Sequence, residues 1–167
     1  PPDPPPLMRP AADLAADAPV RECPALQPLL PSLCQLKIVQ ATHGVITNVR
    51  PDHLDVMGPT TEDVARSLCG TVPQCGKFFT AEREYRSILQ AAAADRGSQF
   101  VGVDEADLQA ISAEEMSRFG YIEHPENVAL ALKLCQDVGV ERQTALEGMW
   151  QATPDCGALS AHRFGEL

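Results

Sequence analysis

From residue 21 onward, short β-branched or aromatic runs alternate with segments of helical period, and that alternation restricts the fold more than any other feature. GVITNV (44–49) is short, apolar and β-branched, as a buried parallel strand requires. Thr60 follows Pro59 as a helix N-cap, with Asp63 three residues on, and Val64, Ala65, Leu68 and Cys69 mark one helical face. KFFT (77–80) reads as the next strand, 84 to about 95 as a helix stopped by Gly97, and QFVGV (99–103) as a third strand. A helix after Asn127 carries Leu130, Ala131, Leu134, Cys135 and Val138 on one side and stops at Gly139. A last helix carries Ala145, Leu146, Met149 and Trp150. Such alternation implies βαβ units: an α/β fold with a mostly parallel sheet flanked by helices.

Composition narrows the partners. The 167 residues are 44% hydrophobic, enough for one domain with a core, and carry a net charge of −10. That charge repels phosphate backbones and anionic lipid, so no nucleic-acid partner is expected. The longest uncharged apolar stretch, 23–36, contains three prolines and is too short to span a bilayer. No signal-peptide pattern opens the chain. The six cysteines form no CxxC pair and flank no His at zinc-finger spacing, which reads as buried free thiols in a reducing, cytoplasmic compartment.

Three regions follow. Residues 1–20 hold seven prolines and read as an extended, disordered arm. Residues 21–160 are the folded part, and 161–167 a tail. Within the folded part, 104–126 has seven carboxylates against Arg118 and reads as a solvated helix face and loop.

The densest chemical signal is Asn48-Val49-Arg50-Pro51-Asp52-His53-Leu54-Asp55-Val56-Met57-Gly58, directly after a strand. In open parallel sheets, loops at the carboxyl ends of strands hold ligands. Two carboxylates, a His and an Arg there suit a metal or a phosphate, although Asp and His in a loop also serve as caps and turn formers. Glu22 lies at the end of a short strand read over ADAPVREC, a poor or edge strand because of Pro19. Gly70 to Lys77 imitates a phosphate-binding loop, but it has five intervening residues and Phe78 after the lysine, so it reads as a turn into a strand. His43, His124 and His162 are isolated.

GVITNVRPDHLDVMGPTTEDVARSL resembles the ligase subunit of poly-γ-glutamate synthases, capsule-forming relatives of the Mur ligases. RECPAL (21–26), TVPQCGKFFTAE (71–82), HPENVALAL (124–132) and TPDCGAL (153–159) match further segments in the same order, so the resemblance covers roughly 12–160. It implies an ATP-dependent carboxylate–amine ligase. ATP phosphorylates the γ-carboxyl of a glutamate chain end, and an incoming glutamate amine displaces phosphate. The resemblance assigns Glu22 and His53 as Mg²⁺ ligands with catalytic roles and Asn127 as the adenine-side contact. Asp52 and Asp55 would orient His53, and Asn48 would hold the loop. It implies ATP and Mg²⁺ as cofactors, and glutamate, a polyglutamate chain and other capsule synthase subunits at the membrane as partners. The parent family sits on the cytoplasmic side.

The departures set further expectations. The family's phosphate-binding loop lies upstream of the RECPAL segment, where this chain has only proline-rich sequence. The family's next domain is not recognisable in SAHRFGEL, where Ser160 replaces an expected Arg. The chain, which does not begin with Met, therefore reads as a truncated Mur-ligase-type central domain, its sheet open on one edge and the isolated piece inactive. The sequence is also compatible with two other readings: a non-catalytic interaction fragment, and a small metal-binding, hydrolase-like domain built on the Asp-His-x-Asp loop.

Overall fold

The sheet's direction is set by its backbone hydrogen bonds. In the computed structural model, which describes residue 13 and residues 15–153, the strands are β1 (His43–Ile46), β2 (Lys77–Thr80) and β3 (Gln99–Gly102), in that order. The Gln99 amide donates to Gly76 O and the Val103 amide to Thr80 O, each at 2.9 Å. The offset between partners is the same at both ends, so β2 and β3 run parallel. The Lys77 amide likewise donates to Thr42 O at 2.9 Å, joining β1 and β2 at their amino ends. Both connections contain helices, as parallel strands demand, and β1 and β3 form the two open edges among the described residues. The α/β expectation holds. The proline-rich residues 1–12, most of TPDCGAL, Cys156, His162 and the tail lie outside the described residues.

The described chain forms two compact units: residues up to 78 with 82–101, and residues 79–81 with 102 onward. The first unit opens with α1 (Leu29–Leu33), continued by a wider helical turn over Cys34–Val39. Sequence reading assigns no element here. Pro31 is tolerated because it sits in the first turn, where its absent N–H would have no intrahelical partner. The wide turn closes with the Gln40 amide donating to Gln35 O at 2.8 Å, with Gln40 left-handed. Then come β1, the single turn α2 (Leu54–Met57) and α3 (Thr61–Leu68). The Thr60 cap forms as read: its hydroxyl accepts from the Asp63 amide at 3.2 Å, and the Asp63 carboxylate accepts from the Thr60 amide at 3.1 Å. After β2, α4 (Arg86–Asp95) ends at left-handed Gly97.

These elements enclose Ile46, Val49, Met57, Val64, Ala65, Val72, Phe78, Leu89 and Ala93. Burying a side chain the size of Phe78 contributes about 1.5–3 kcal/mol, and its ring meets Phe100 edge-on at 5.9 Å between centroids. Arg96 ties the periphery together, donating to Gly70 O at 3.0 Å, to Val72 O, and to Ser32 Oγ at 2.8 Å.

Two strand expectations need correction. β1 stops at Ile46 rather than at residue 49; beyond it, the Val49 amide donates to the Glu82 carboxylate at 2.6 Å. Residues 16–23, read above as a short strand, form none; Pro19 removes a donor that a ladder would use.

In the second unit, α5 (Glu105–Gln109) and α6 (Ala113–Ser117) precede α7 (Pro125–Asp137) and α8 (Arg142–Gln151). α7 starts two residues before Asn127, with Pro125 at the first helical position, where its fixed φ suits the turn. Val128, Ala129, Leu130, Ala145 and Leu146 are buried. The acidic stretch is more than a solvated face. Asp104 with Asp107, and Ser112 with Glu115, form capping boxes; Asp107 pairs with Lys133, and Glu115 with Arg142. No helix among the described residues is long and apolar enough to cross a membrane.

Candidate functional site

The loop after β1 leaves the sheet at the carboxyl end of a parallel strand, the position that α/β sheets use for ligands. Residues 50–56 are exposed, and Met57, 8% exposed, anchors the loop's far end in the core. His53 adopts a left-handed backbone (φ 48°, ψ 41°), uncommon for a residue with a Cβ. Its carbonyl accepts from the Val56 and Met57 amides, both at 2.9 Å, which holds the turn closed. The imidazole is thereby projected from a fixed, strained turn, and backbone strain of this kind collects at functional sites. Its Nε2 lies 3.7 Å from Asp52 Oδ1, an ion-pair separation that is too long for a hydrogen bond. Asp55 sits in the first turn of α2. The Asn48 side-chain oxygen accepts from Arg50 Nε at 3.2 Å, so it braces the loop from within.

Glu22 and Asn48 line one cleft of about 650 Å³ in the first unit. Arg21, Cys23, His43 and Thr71 supply further polar wall, and Ile38, Val39 and Leu68 apolar wall. His43 Nδ1 is 2.8 Å from Thr42 Oγ1. His53 is not among the residues lining this cleft. Asn127 belongs to the second unit, where its amide nitrogen donates to Glu123 Oε1 at 2.9 Å. The structure thus brings Glu22 and Asn48 to a common cavity and puts Asp52 beside His53.

No three His, Cys, Asp or Glu side chains are grouped as metal donors among the described residues. Glu22 lines the cleft and His53 does not; of the two, the carboxylate is the donor type that Mg²⁺ prefers, with waters or phosphate oxygens completing its shell. Mg²⁺ is commonly held by only one or two protein groups.

Two charged residues escaped the sequence reading. Glu82, 7% exposed, sits just past β2, and its carboxylate accepts from the Val49, Glu84 and Tyr85 amides. The available signal was a carboxylate immediately after an apolar strand. Arg96 had no pattern to mark it. The thiol expectation also needs correction. The five described cysteines are free, but Cys23 and Cys75 are exposed and the other three only half-buried. Burial pushes the Cys69 and Cys135 thiols up, which keeps them protonated and poorly reactive.

Against known proteins, no family model matches the chain. The capsule biosynthesis protein CapB of Bacillus anthracis is 39% identical over 160 residues, 96% of this chain. The PGA synthase CapB of Bacillus subtilis (strain 168) is 36% identical over 153 residues, 92% of this chain. The chain belongs to the CapB family. It spans about a third of the length of these relatives, 34% and 38%.

Solved structures agree on the fold. A point mutant of L. casei FPGS superimposes with a TM-score of 0.55 at 15% identity, covering 70% of this chain and 35% of the other. E. coli FolC, solved in complex with DHPP and ADP, gives 0.53 at 20%, covering 68% and 30%. The expected α/β fold, a mostly parallel sheet flanked by helices, is therefore shared with part of each of these structures.

Proposed function

We propose that this chain is part of an ATP-dependent ligase that extends γ-linked polyglutamate through an acyl phosphate. The observation that carries the reading is the match of nearly the whole chain to two CapB proteins, one of them described as a PGA synthase. The loop at the carboxyl end of β1 and the ADP complex of a fold neighbour support it.

On this reading, Glu22 and His53 contribute to a Mg²⁺ site and Asn127 faces the adenine. Asp52 and Asp55 orient the imidazole, and Asn48 keeps the loop in shape. Bound Mg²⁺ neutralises phosphate charge as the acyl phosphate forms. The chain's own residues orient the loop. Glutamate and the growing polyglutamate chain are the substrates, and the other synthase subunits at the cytoplasmic face of the membrane are the partners. Residues 1–20 act as an arm, 21–160 as a partial central domain and 161–167 as a tail.

Titrating the chain with Mn²⁺ and following free ion by paramagnetic resonance tests the metal assignment. Wild type binds one ion, and Glu22→Gln and His53→Ala each weaken binding about tenfold or more. Wild-type affinity in both variants overturns the assignment.

A further inference from the structure

Glu82 is a buried carboxylate that the ligase reading leaves without a role. Its position, just past the carboxyl end of β2, is where a sheet's ligand-holding loops begin. One oxygen accepts from the Val49 amide at 2.6 Å, and the other from the Glu84 and Tyr85 amides at 2.7 and 3.1 Å. Charge-assisted bonds to backbone amides are short and strong, and their loss leaves buried donors unpaired. Val49 follows Asn48 directly, and its side chain, 8% exposed, is locked in the core. The backbone that leads to His53 is therefore held at its root by a side chain 33 residues further along.

We propose that Glu82 is a positioning residue for the His53 loop, acting through the Val49 amide to set the path of residues 48–53 and thereby the loop's affinity for a divalent ion. The inference rests on the reading of His53 as a metal ligand. Gln is the informative replacement. It keeps the shape of the side chain but turns one acceptor into a donor, so one of the two amide groups now faces an N–H.

The test titrates the 167-residue chain with Mn²⁺, well below its unfolding temperature, as wild type, Glu82→Gln, His53→Ala and Glu115→Gln. The last is a control that removes an ion pair from the other unit. Glu82→Gln is expected to weaken Mn²⁺ binding about tenfold, in the range found when groups that orient metal ligands are removed. It is also expected to speed hydrogen exchange at Val49 and the loop amides, while Glu115→Gln changes neither. A folded Glu82→Gln chain with wild-type affinity, beside a His53→Ala chain that has lost it, overturns the inference and leaves the metal assignment standing. Wild-type affinity in His53→Ala overturns the metal assignment instead. In that case unchanged exchange at Val49 in Glu82→Gln also removes the positioning role, and faster exchange confines it to the loop's path. Should Glu82→Gln fail to fold, Glu82→Asp, which keeps the charge but shortens its reach, is measured in the same way with the same two outcomes.

Discussion

The fold holds the Glu115 carboxyl well below the usual carboxylate range. The Arg142 guanidinium meets both of its oxygens, one of them at 3.2 Å, and the Ser112 amide donates to Oε2 at 2.8 Å. The Arg142 bonds and then the Ser112 amide hold the carboxyl down at about 2. A carboxylate depressed in the folded state adds stability above its unfolded value, near 4.5, and that contribution disappears as pH falls toward 2. Arg142 is 47% exposed, so solvent screens the pair and the contribution is on the order of 1 kcal/mol. Denaturant melts of wild type and Glu115→Gln should therefore differ at pH 6 and converge by pH 2. A constant difference across that range removes the ion pair as its cause. Trp150 shares the arrangement: its Nε1 donates to Glu115 O at 3.1 Å, and Arg118 stacks 3.4 Å from its ring centroid. The ion pairs that organise the acidic stretch thus reach across to α7 and α8, and no local count of charges could have foretold them.

At the scale of elements, β1 and β2 approach closely because of Gly76. A Cβ there would fall on the Thr42 carbonyl oxygen, the acceptor of the Lys77 amide, and 3.1 Å from Pro73 Cβ. Gly76→Ala should cost about 2 kcal/mol, the scale of overpacking against a neighbour that cannot move aside. Gly148, within α8, has nothing within 4 Å of its Cβ position. Gly148→Ala should therefore stabilise by about 0.5–1 kcal/mol through helix propensity. Thermal melts of the two variants check both signs. Elements with a local cause were legible in the sequence. The Thr60 capping box, the KFFT strand and the Gly97 stop each depend on residues within a few positions. Elements with a distant cause were not. The path of Val49 after β1 is held by Glu82, and α1 lies against the turn at Gly70, whose Cβ position is 2.8 Å from Pro31 Cβ. The site divides in the same way. The Asn48–Asp55 loop announces itself by composition, whereas Glu82 is a single Glu in an ordinary sequence, and the backbone amides it holds from two segments mark it out.

For the whole molecule, charge sets the sharpest demand on function. A chain with a net charge of −10 repels a nucleoside triphosphate unless the local site reverses the field. In ATP-dependent enzymes that reversal comes from backbone amides and a lysine wrapped around the phosphates, aided by Mg²⁺. These 167 residues contain no glycine-rich run ending in Lys-Ser or Lys-Thr. The Glu22 and His53 ligands proposed for Mg²⁺ would bring no cation of their own to the β- and γ-phosphates. Each charge-assisted bond missing from such a cradle is worth roughly 1.5–3 kcal/mol, and several are missing together. The 167-residue chain, given ATP, Mg²⁺, glutamate and a polyglutamate acceptor, should therefore release no phosphate above the uncatalysed background, although it still binds Mn²⁺ at the loop. A coupled phosphate assay decides the matter. Acceptor-dependent turnover by this chain alone would mean that its own residues gather the triphosphate by a route other than a glycine-rich loop, with Lys77 and the cleft residue Arg21 the first positions to replace.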